Sequence, residues 1–280
     1  MKLNKIVALT SLVAAISATP LFAGTKTLKE VVVVEEKTTP LFNAALSTGY
    51  DSLYMFRGAN VLGTGSNSYG SSLYWTDLNA TWNITANDLF NVGSWQAFGL
   101  VNSSYKENDV YATYTHLFGD LAASLGYTFY NVFSLPVYAN ELSAKLAYTA
   151  KVGDVSITPS VAYFFELGPD ISDKGSQNAG TSFLAFRVDS SIPLYKDIVS
   201  LQPWVGFGLN FGFNPKTNSA GESVLFNGAN NLETGIAVPV KINSVVSVSG
   251  YVAYSYAFYD LWGTTEPSTF WGGGKVTFSF

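Results

Sequence analysis

The chain has 280 residues and a formal net charge of −5, with 48% hydrophobic, 15% aromatic and 12% charged residues. The charged share is about half that of an average soluble domain, and the 17 Tyr, 20 Phe and 6 Trp are typical of aromatic belts at two membrane interfaces. The absence of cysteine and the single histidine disfavour thiolate, disulfide and zinc sites, and the acidic balance disfavours nucleic acid as a partner. We therefore expect neither a metal nor a cofactor.

The first 23 residues have the pattern of an export signal. A short basic start, Met1–Lys5, precedes an apolar stretch, Ile6–Ala18, which is too short to cross a bilayer as a helix. We predict cleavage after Ala23, so that residues 1–23 are a signal peptide and the mature protein is exported.

Residues 24–41 lack any alternating pattern. Within them, Val31–Val34 is flanked by acidic residues and faintly resembles the energy-coupling box at the front of TonB-dependent receptors. Those receptors carry a plug domain and a much larger barrel, for which this chain has no room. We therefore predict a short periplasmic extension.

Alternation of apolar and polar residues begins at Phe42, and a period of two is the mark of a β-strand with different surroundings on its two faces. The pattern predicts a first strand over Phe42–Phe56, with Tyr54 on its apolar outer face, followed by a loop over Gly58–Ser68. The second predicted strand is Ser71–Ile84, with these residues on its outer face: Tyr74, Leu78, Ala80, Trp82 and Ile84.

The pattern continues to the end of the chain and predicts about twelve strands. The further strands are Trp95–Asn102, Asp109–Phe118, Ala122–Tyr130, Leu142–Thr149, Val155–Glu166, Leu184–Ile192, Val199–Phe211, Leu232–Ile242, Val246–Phe258 and Phe270–Phe280. An even number of strands puts both ends of the domain at the periplasmic side. The last strand ends on an aromatic residue, and we expect it to close a barrel by pairing with the first strand.

The predicted connections alternate in length. Four are short, namely Gly119–Asp120, Lys151–Asp154, Pro193–Asp197 and Asn243–Ser244. Four are long and polar, namely Asn131–Ala139, Leu167–Gly180, Gly212–Ala229 and Tyr259–Thr269. The Thr85–Gly93 connection is long where a short turn is expected. The pattern predicts an all-β fold, a closed antiparallel transmembrane β-barrel over residues 42–280 with short periplasmic turns and longer extracellular loops.

The chemistry of the two faces indicates which one meets lipid. The polar face carries mostly Ser, Thr, Gly, Ala and Asn, and burying it in a dry core would leave many hydroxyl groups without partners. A soluble barrel has the opposite arrangement, with a charged exterior, and we consider it the weaker alternative. Three prolines, Pro159, Pro203 and Pro239, fall inside predicted strands, where we expect bulges or bends because a closed barrel has no free edge.

Two short motifs carry resemblances. The stretch from Asp51 through Tyr54, Phe56 and Arg57 to Gly58 resembles the first strand of the TorF-type family of outer-membrane porins, and this resemblance implies passive passage of solutes. The terminal aromatic residues Phe278 and Phe280 resemble the signal read by the outer-membrane barrel assembly machinery. The expected surroundings are outer-membrane lipid and lipopolysaccharide, and the expected location is the cell outer membrane.

Inward-facing charges are the candidate pore-lining residues: Asp51, Asp77, Lys145, Arg187, Asp189 and Lys275. One hypothesis is a constriction with acids on one wall and bases on the other, which would orient polar solutes. The other is local pairing, of Lys275 with Asp51 and of Arg187 with Asp189. The same assignment of alternate residues to the inner face puts four aromatic residues inside, where they would narrow the lumen: Trp75, Trp204, Tyr251 and Trp271.

No catalytic constellation is present in the sequence. The only histidine, His116, lies just before the Gly119–Asp120 turn, where packing or solvation accounts for it. We therefore predict a porin that allows passive diffusion of ions or small polar solutes, and not an enzyme. The alternative is a narrow barrel filled by its own side chains, which acts through its extracellular loops as a structural or adhesion protein.

Overall fold

The computed structural model of the protein describes residues 41–62, 72–101, 105–133, 137–168, 180–217, 223–259 and 268–280. Twelve long antiparallel strands form the wall. They are β1 Phe42–Asp51, β2 Leu73–Asn83, β3 Asp88–Gly99, β4 Lys106–Phe118, β5 Leu121–Val132, β6 Val137–Tyr148, β7 Val155–Glu166, β8 Ser182–Tyr195, β9 Val199–Thr217, β10 Ser223–Lys241, β11 Val246–Ala257 and β12 Ser268–Ser279. The predicted signal peptide and residues 24–40 lie outside the described residues and stay predictions.

The sheet closes on itself. Each strand pairs with its neighbours in chain order, and β12 pairs with both β11 and β1. At the seam, Ala45 lies opposite Ser279 and Asp51 lies opposite Gly273. A closed sheet leaves no edge strand with unpaired backbone groups, which is what a β-structure in a bilayer requires. The predicted all-β, twelve-strand closed barrel is therefore confirmed.

The outer surface is apolar along the strands, because every second side chain points away from the lumen. Leu78 is 58% exposed, Leu125 64% and Phe270 77%. Such a surface would drive aggregation in water, whereas in a bilayer it lies against lipid. Among the described residues, no helix is long and apolar enough to cross a membrane.

The connections at the two rims differ in length, although not every connection predicted to be long is long. One rim carries the ends of the barrel and short turns at 84–87, 119–120, 153–154, 196–198 and 242–245. The connection after β2 is one of these turns, because β3 begins at Asp88, earlier than the predicted Trp95. The predicted long connection Thr85–Gly93 was therefore wrong, and its second half is strand.

Three other predicted boundaries were also wrong. The predicted long connection Asn131–Ala139 covers only residues 133–136, because β5 ends at Val132 and β6 begins at Val137. The first strand ends at Asp51 instead of Phe56, and the chain then turns into the lumen. The predicted loop Gly212–Ala229 is mostly strand, since β9 and β10 have 19 residues each and extend the wall as a hairpin. All three errors concern the rim opposite the short turns.

The three prolines do not produce the expected bulges. On one side of Pro159, for example, pairing stops for two residues and resumes in the same register, with Ile157 opposite Ala150 and Ser160 opposite Ala147. Because proline has no N–H group, it removes a ladder hydrogen bond without inserting a residue. The register shifts fall elsewhere, at 182/183 and 193/195 in β8 and at 208/209 and 211/215 in β9.

Candidate functional site

The connection from β1 towards β2 begins by folding into the lumen. We call residues 52–62 the inner hairpin; it contains two short paired strands, Met55–Phe56 and Ala59–Asn60. Arg57 and Gly58 form its tip, with φ angles of +49° and +79°. Tyr54, Met55 and Arg57 are almost completely buried, although they lie outside the wall strands. The lumen therefore holds a segment of the chain itself.

One side of the inner hairpin packs against β3 and β4. The Tyr54 ring lies 5.7 Å from the Trp95 ring, and its hydroxyl donates to Glu107 Oε2 at 2.9 Å. Tyr105 donates to the same carboxylate oxygen at 2.7 Å. Burial, together with the neighbouring Glu107 carboxylate, raises the pKa of the Tyr54 hydroxyl well above its ordinary value, so this group stays a proton donor.

The tip of the inner hairpin is held by an ion pair with β6. Arg57 Nη1 lies 2.6 Å from Glu141 Oε2, and Arg57 Nη2 donates to Glu141 Oε1 at 2.8 Å. Both side chains are buried, so the pair is shielded from water and salt. Burial lowers the pKa of Arg57, but the Glu141 carboxylate outweighs it and the net shift is upward. The hydrogen bond and the second close contact to the same carboxylate fix the orientation of the guanidinium group.

Aromatic rings surround the same guanidinium group. Its central carbon lies 4.1 Å from the centre of the Phe164 ring and 4.3 Å from that of Phe213, with Phe56 and Phe183 slightly farther away. A desolvated cation against an aromatic face gains about 2 kcal/mol or more. These contacts offset part of the cost of burying the charge.

Asparagine side chains hold the backbone of the tip. The Arg57 carbonyl accepts hydrogen bonds from Asn214 Nδ2 at 2.8 Å and from Asn230 Nδ2 at 2.7 Å. A Cβ atom at Gly58 would lie 2.6 Å from Asn231 Cγ, so this position has room only for glycine. The network therefore stabilises a left-handed tip that an arginine rarely adopts.

The opposite side of the inner hairpin packs against β9 to β12. Met55 belongs to a buried cluster with Trp204, Tyr251 and Trp271, three of the four aromatic residues that the sequence placed inside. The fourth, Trp75, packs in the cluster around Tyr54. With the contacts to Glu141 and the phenylalanines, the hairpin touches wall strands on all sides of the barrel. It therefore occupies the cross-section of the lumen at its level.

The two acidic candidates of the first strands lie apart. Asp51 is buried and accepts a hydrogen bond from the Tyr251 hydroxyl at 2.5 Å. Asp77 is half-buried, and it accepts from the Tyr111 hydroxyl and from Asn79 Nδ2, both at 2.8 Å. The two carboxylates thus have different partners on different strands.

Three of the other candidates lie together on one side of the lumen. Arg187 Nε lies 2.7 Å from Asp189 Oδ1, and Arg187 Nη1 lies 3.7 Å from Glu233 Oε1. Lys145 is within electrostatic reach of both Arg187 and Asp189. Lys275 lies elsewhere, opposite Gly49 on β1 and Ser249 on β11.

Several inward charges were not singled out by the sequence analysis. The most consequential is Arg57, which was used only as part of a motif. Five carboxylates were also missed, and all are buried at positions that face the lumen: Glu107, Asp109, Glu141, Glu166 and Glu233. Their signal in the sequence is an acid on the polar face of an alternating strand, as for Glu233 between Leu232 and Thr234.

Two solved structures have a similar architecture. An outer-membrane channel from Pseudomonas putida F1 matches with a TM-score of 0.56 at 11% identity, over 87% of this chain and 97% of that protein. The NanC porin matches with a TM-score of 0.50 at 12% identity, over 84% and 98%. No family model matches the sequence, and no curated protein matches it by sequence. At such identities the likeness concerns the fold.

The fold and the surface together locate the protein. A closed barrel with an apolar exterior is built for a bilayer, and its architecture is that of outer-membrane barrels. The predicted location in the outer membrane is therefore confirmed.

Proposed function

We propose that this protein is a porin-like channel of the outer membrane, which allows passive diffusion of ions or small polar solutes and is not an enzyme. The observation that carries the proposal is the closed wall around a lumen whose inward side chains include many polar and charged groups beside the aromatic clusters. At mid-height, Asp77, Lys145 and Arg187 keep some exposure, as expected for groups beside water. A lumen built only for packing would have no use for these charges.

We further propose that the inner hairpin is the constriction of this channel. It contains Tyr54, Phe56, Arg57 and Gly58, the residues on which the resemblance to TorF-type porins rests. Their contacts with the wall give these residues a physical role, and membership of that family is part of this proposal. The hairpin contacts the wall on all sides at its own level, so it limits the size of what passes.

We also propose that the six candidate charges line the pathway: Asp51, Asp77, Lys145, Arg187, Asp189 and Lys275. β2 and β8 are six strands apart in a wall of twelve, so Asp77 and Arg187 belong to opposite sides of the wall. The Arg187–Asp189 contact weakens a transverse field, because part of the positive charge is neutralised locally.

Conductance measurements on refolded full-length protein in planar bilayers test the channel. We expect discrete steps in KCl solution for the wild type. Asp77→Asn and Arg187→Ala should change the step size, since both alter charge beside the pathway, whereas the exposed turn variant Asp154→Asn should leave it unchanged. Equal steps in all four proteins would contradict the pore-lining assignment.

The second candidate is a filled barrel that acts through its extracellular loops as a structural or adhesion protein. The observation in its favour is the burial of Tyr54, Met55 and Arg57 against wall strands on all sides. The two candidates differ in one measurement. Absence of conductance in the wild type and in a variant whose inner hairpin is removed would overturn the channel and leave the filled barrel.

A further inference from the structure

The acidic residues of the lumen are unevenly distributed. Among the described residues, the inward faces of β1 to β5 carry four carboxylates and no lysine or arginine. The four are Asp51, Asp77, Glu107 and Asp109. Trp95 of β3 lies between Asp77 and Asp109 in the sheet register, so these two carboxylates are at one level of the wall. This part of the barrel is an acidic wall.

The rest of the lumen is close to neutral. Apart from Lys216 near the end of β9 and Lys241 at the end of β10, the inward faces of β6 to β12 carry four carboxylates, which are Glu141, Glu166, Asp189 and Glu233, and three cations, which are Lys145, Arg187 and Lys275. Arg57 of the inner hairpin adds a fourth cation on this side, where it pairs with Glu141. Without Lys216 and Lys241, which lie at strand ends, the formal charge of the described lumen is therefore −4, from eight carboxylates and four cations; with them it is −2. All of the excess lies on the acidic wall of β1 to β5.

Two of the four cations have their charge neutralised by close carboxylates. Arg57 makes two short contacts with Glu141, and Arg187 contacts Asp189 and Glu233. An ion pair of this kind has a small field at a distance, because the opposite charges nearly coincide. A mobile ion in the lumen therefore experiences mainly the acidic wall.

From this distribution we infer that the channel selects small cations over anions, with the acidic wall of β1 to β5 as the determinant. The inference rests on the proposed channel function and adds the class of solute. Low-dielectric walls concentrate the field of such groups within a narrow lumen, which enriches ions of the opposite sign. Alkali metal ions and small ammonium ions are the matching chemical class.

Reversal potentials in a KCl gradient across a planar bilayer measure this preference directly. For the refolded full-length chain we expect a reversal potential with the sign of a K⁺-selective pore. Asp77→Asn removes one charge at a half-exposed position and should lower the K⁺/Cl⁻ permeability ratio about twofold. Lys145→Gln removes a positive charge and should raise the ratio, so the two variants shift it in opposite directions. Asp154→Asn, in the exposed β6–β7 turn, is the matched control and should leave the ratio unchanged.

The outcomes separate the two proposals. Conductance with a Cl⁻ preference, or with no preference, would overturn the cation inference and leave the channel in place. The same holds if Asp77→Asn and Lys145→Gln shift the ratio in the same direction, since that would indicate a change of shape instead of charge. No conductance in the wild type and in the variant with the inner hairpin removed would overturn the channel, and the cation inference with it.

Discussion

At the residue scale, Arg57 is the fully buried cation at the tip of the inner hairpin, where it pairs with Glu141. A buried ion pair contributes little net stability compared with apolar packing, but removal of one partner leaves an uncompensated charge. Here the partner is Glu141, and the four phenylalanine rings around the guanidinium group leave no water to replace the lost contact. The pair therefore specifies where the hairpin tip sits, more than it stabilises the barrel.

The variant Arg57→Met tests this role. Loss of the pair costs about 3 kcal/mol or more, which changes the ratio of seated to unseated hairpin by about a hundredfold. We expect larger and noisier conductance steps than in the wild type. Lys151→Met, at the exposed rim, is the matched control and should behave as wild type. The double variant Arg57→Met with Glu141→Gln removes the stranded charge and should recover part of the wild-type behaviour. Wild-type steps in Arg57→Met would show that this pair does not hold the constriction.

Gly58 offers a second test at the same scale. At this position alanine would have to adopt a left-handed backbone, which costs about 1–2 kcal/mol. Its Cβ atom would also clash with Asn231, whose side chain donates a hydrogen bond to Ser255. Gly153, in a short turn, has a similar φ of +61° but open space around its Cβ position. Gly58→Ala should therefore unseat the hairpin and alter the conductance steps, whereas Gly153→Ala should change only thermal stability. Identical conductance in both would mean that Asn231 moves aside at no cost.

The residues of the site were predictable only in part. The alternation of apolar and polar residues along each strand placed Asp77 and Arg187 on the inner face. The structure adds their hydrogen-bond and ion-pair partners. Glu107 and Asp109 were missed because the start of β4 has polar residues on both faces, such as Lys106 and Asn108, so alternation is absent there. The partners of Arg57 could not be predicted, since Asn214 is 157 residues away in sequence.

At the element scale, alternation identified the strands but not where they leave the wall. The first strand was extended to Phe56 because Tyr54 and Phe56 keep the parity of Tyr50. Inside the lumen, Tyr54 packs against the aromatic residues Trp75, Trp95 and Tyr105, which provide apolar surroundings as lipid does outside. The same residue types therefore suit a lipid-facing strand and a segment buried in the lumen. The left-handed Arg57 ends the pattern, and nothing in the identity of that residue indicates such a conformation.

The closing strand carries a prediction of its own. Phe280 N–H donates to the Ala44 carbonyl at 2.9 Å, and the Ala44 N–H donates back at 3.2 Å. Deletion of Phe280 removes both backbone bonds at the seam and one terminal aromatic group of the proposed assembly signal. We expect a large fall in the amount of heat-modifiable barrel recovered from the outer membrane, and the same for Phe278→Ser with Phe280→Ser.

Lys275→Ala is the control for that experiment, because it lies on the same strand but faces the lumen. It should assemble in normal amounts and alter conductance. Normal assembly of the chain without Phe280 would contradict the role of the terminal residue, and failed assembly of Lys275→Ala would show that the whole strand is sensitive.

At the scale of the whole molecule, the inner hairpin depends on the wall for its conformation, whereas the wall does not depend on the hairpin. The wall is held by ladders between neighbouring strands, and none of these ladders involves the hairpin. The hairpin has one two-residue ladder of its own and is otherwise held by the wall. A barrel without the hairpin is therefore expected to fold, whereas the hairpin alone is not.

This asymmetry permits a decisive deletion. Asp51 lies opposite Leu73, so β1 and β2 end side by side and a two-residue Asn-Gly turn can join them in place of residues 52–72. We expect a heat-modifiable barrel with conductance several-fold above that of the wild type, since the segment that fills the cross-section is gone. A folded barrel with wild-type conductance would show that the hairpin is not the constriction. A folded barrel with no conductance would show that Trp75, Trp204, Tyr251 and Trp271 close the lumen without it, and that the filled-barrel function is the correct one.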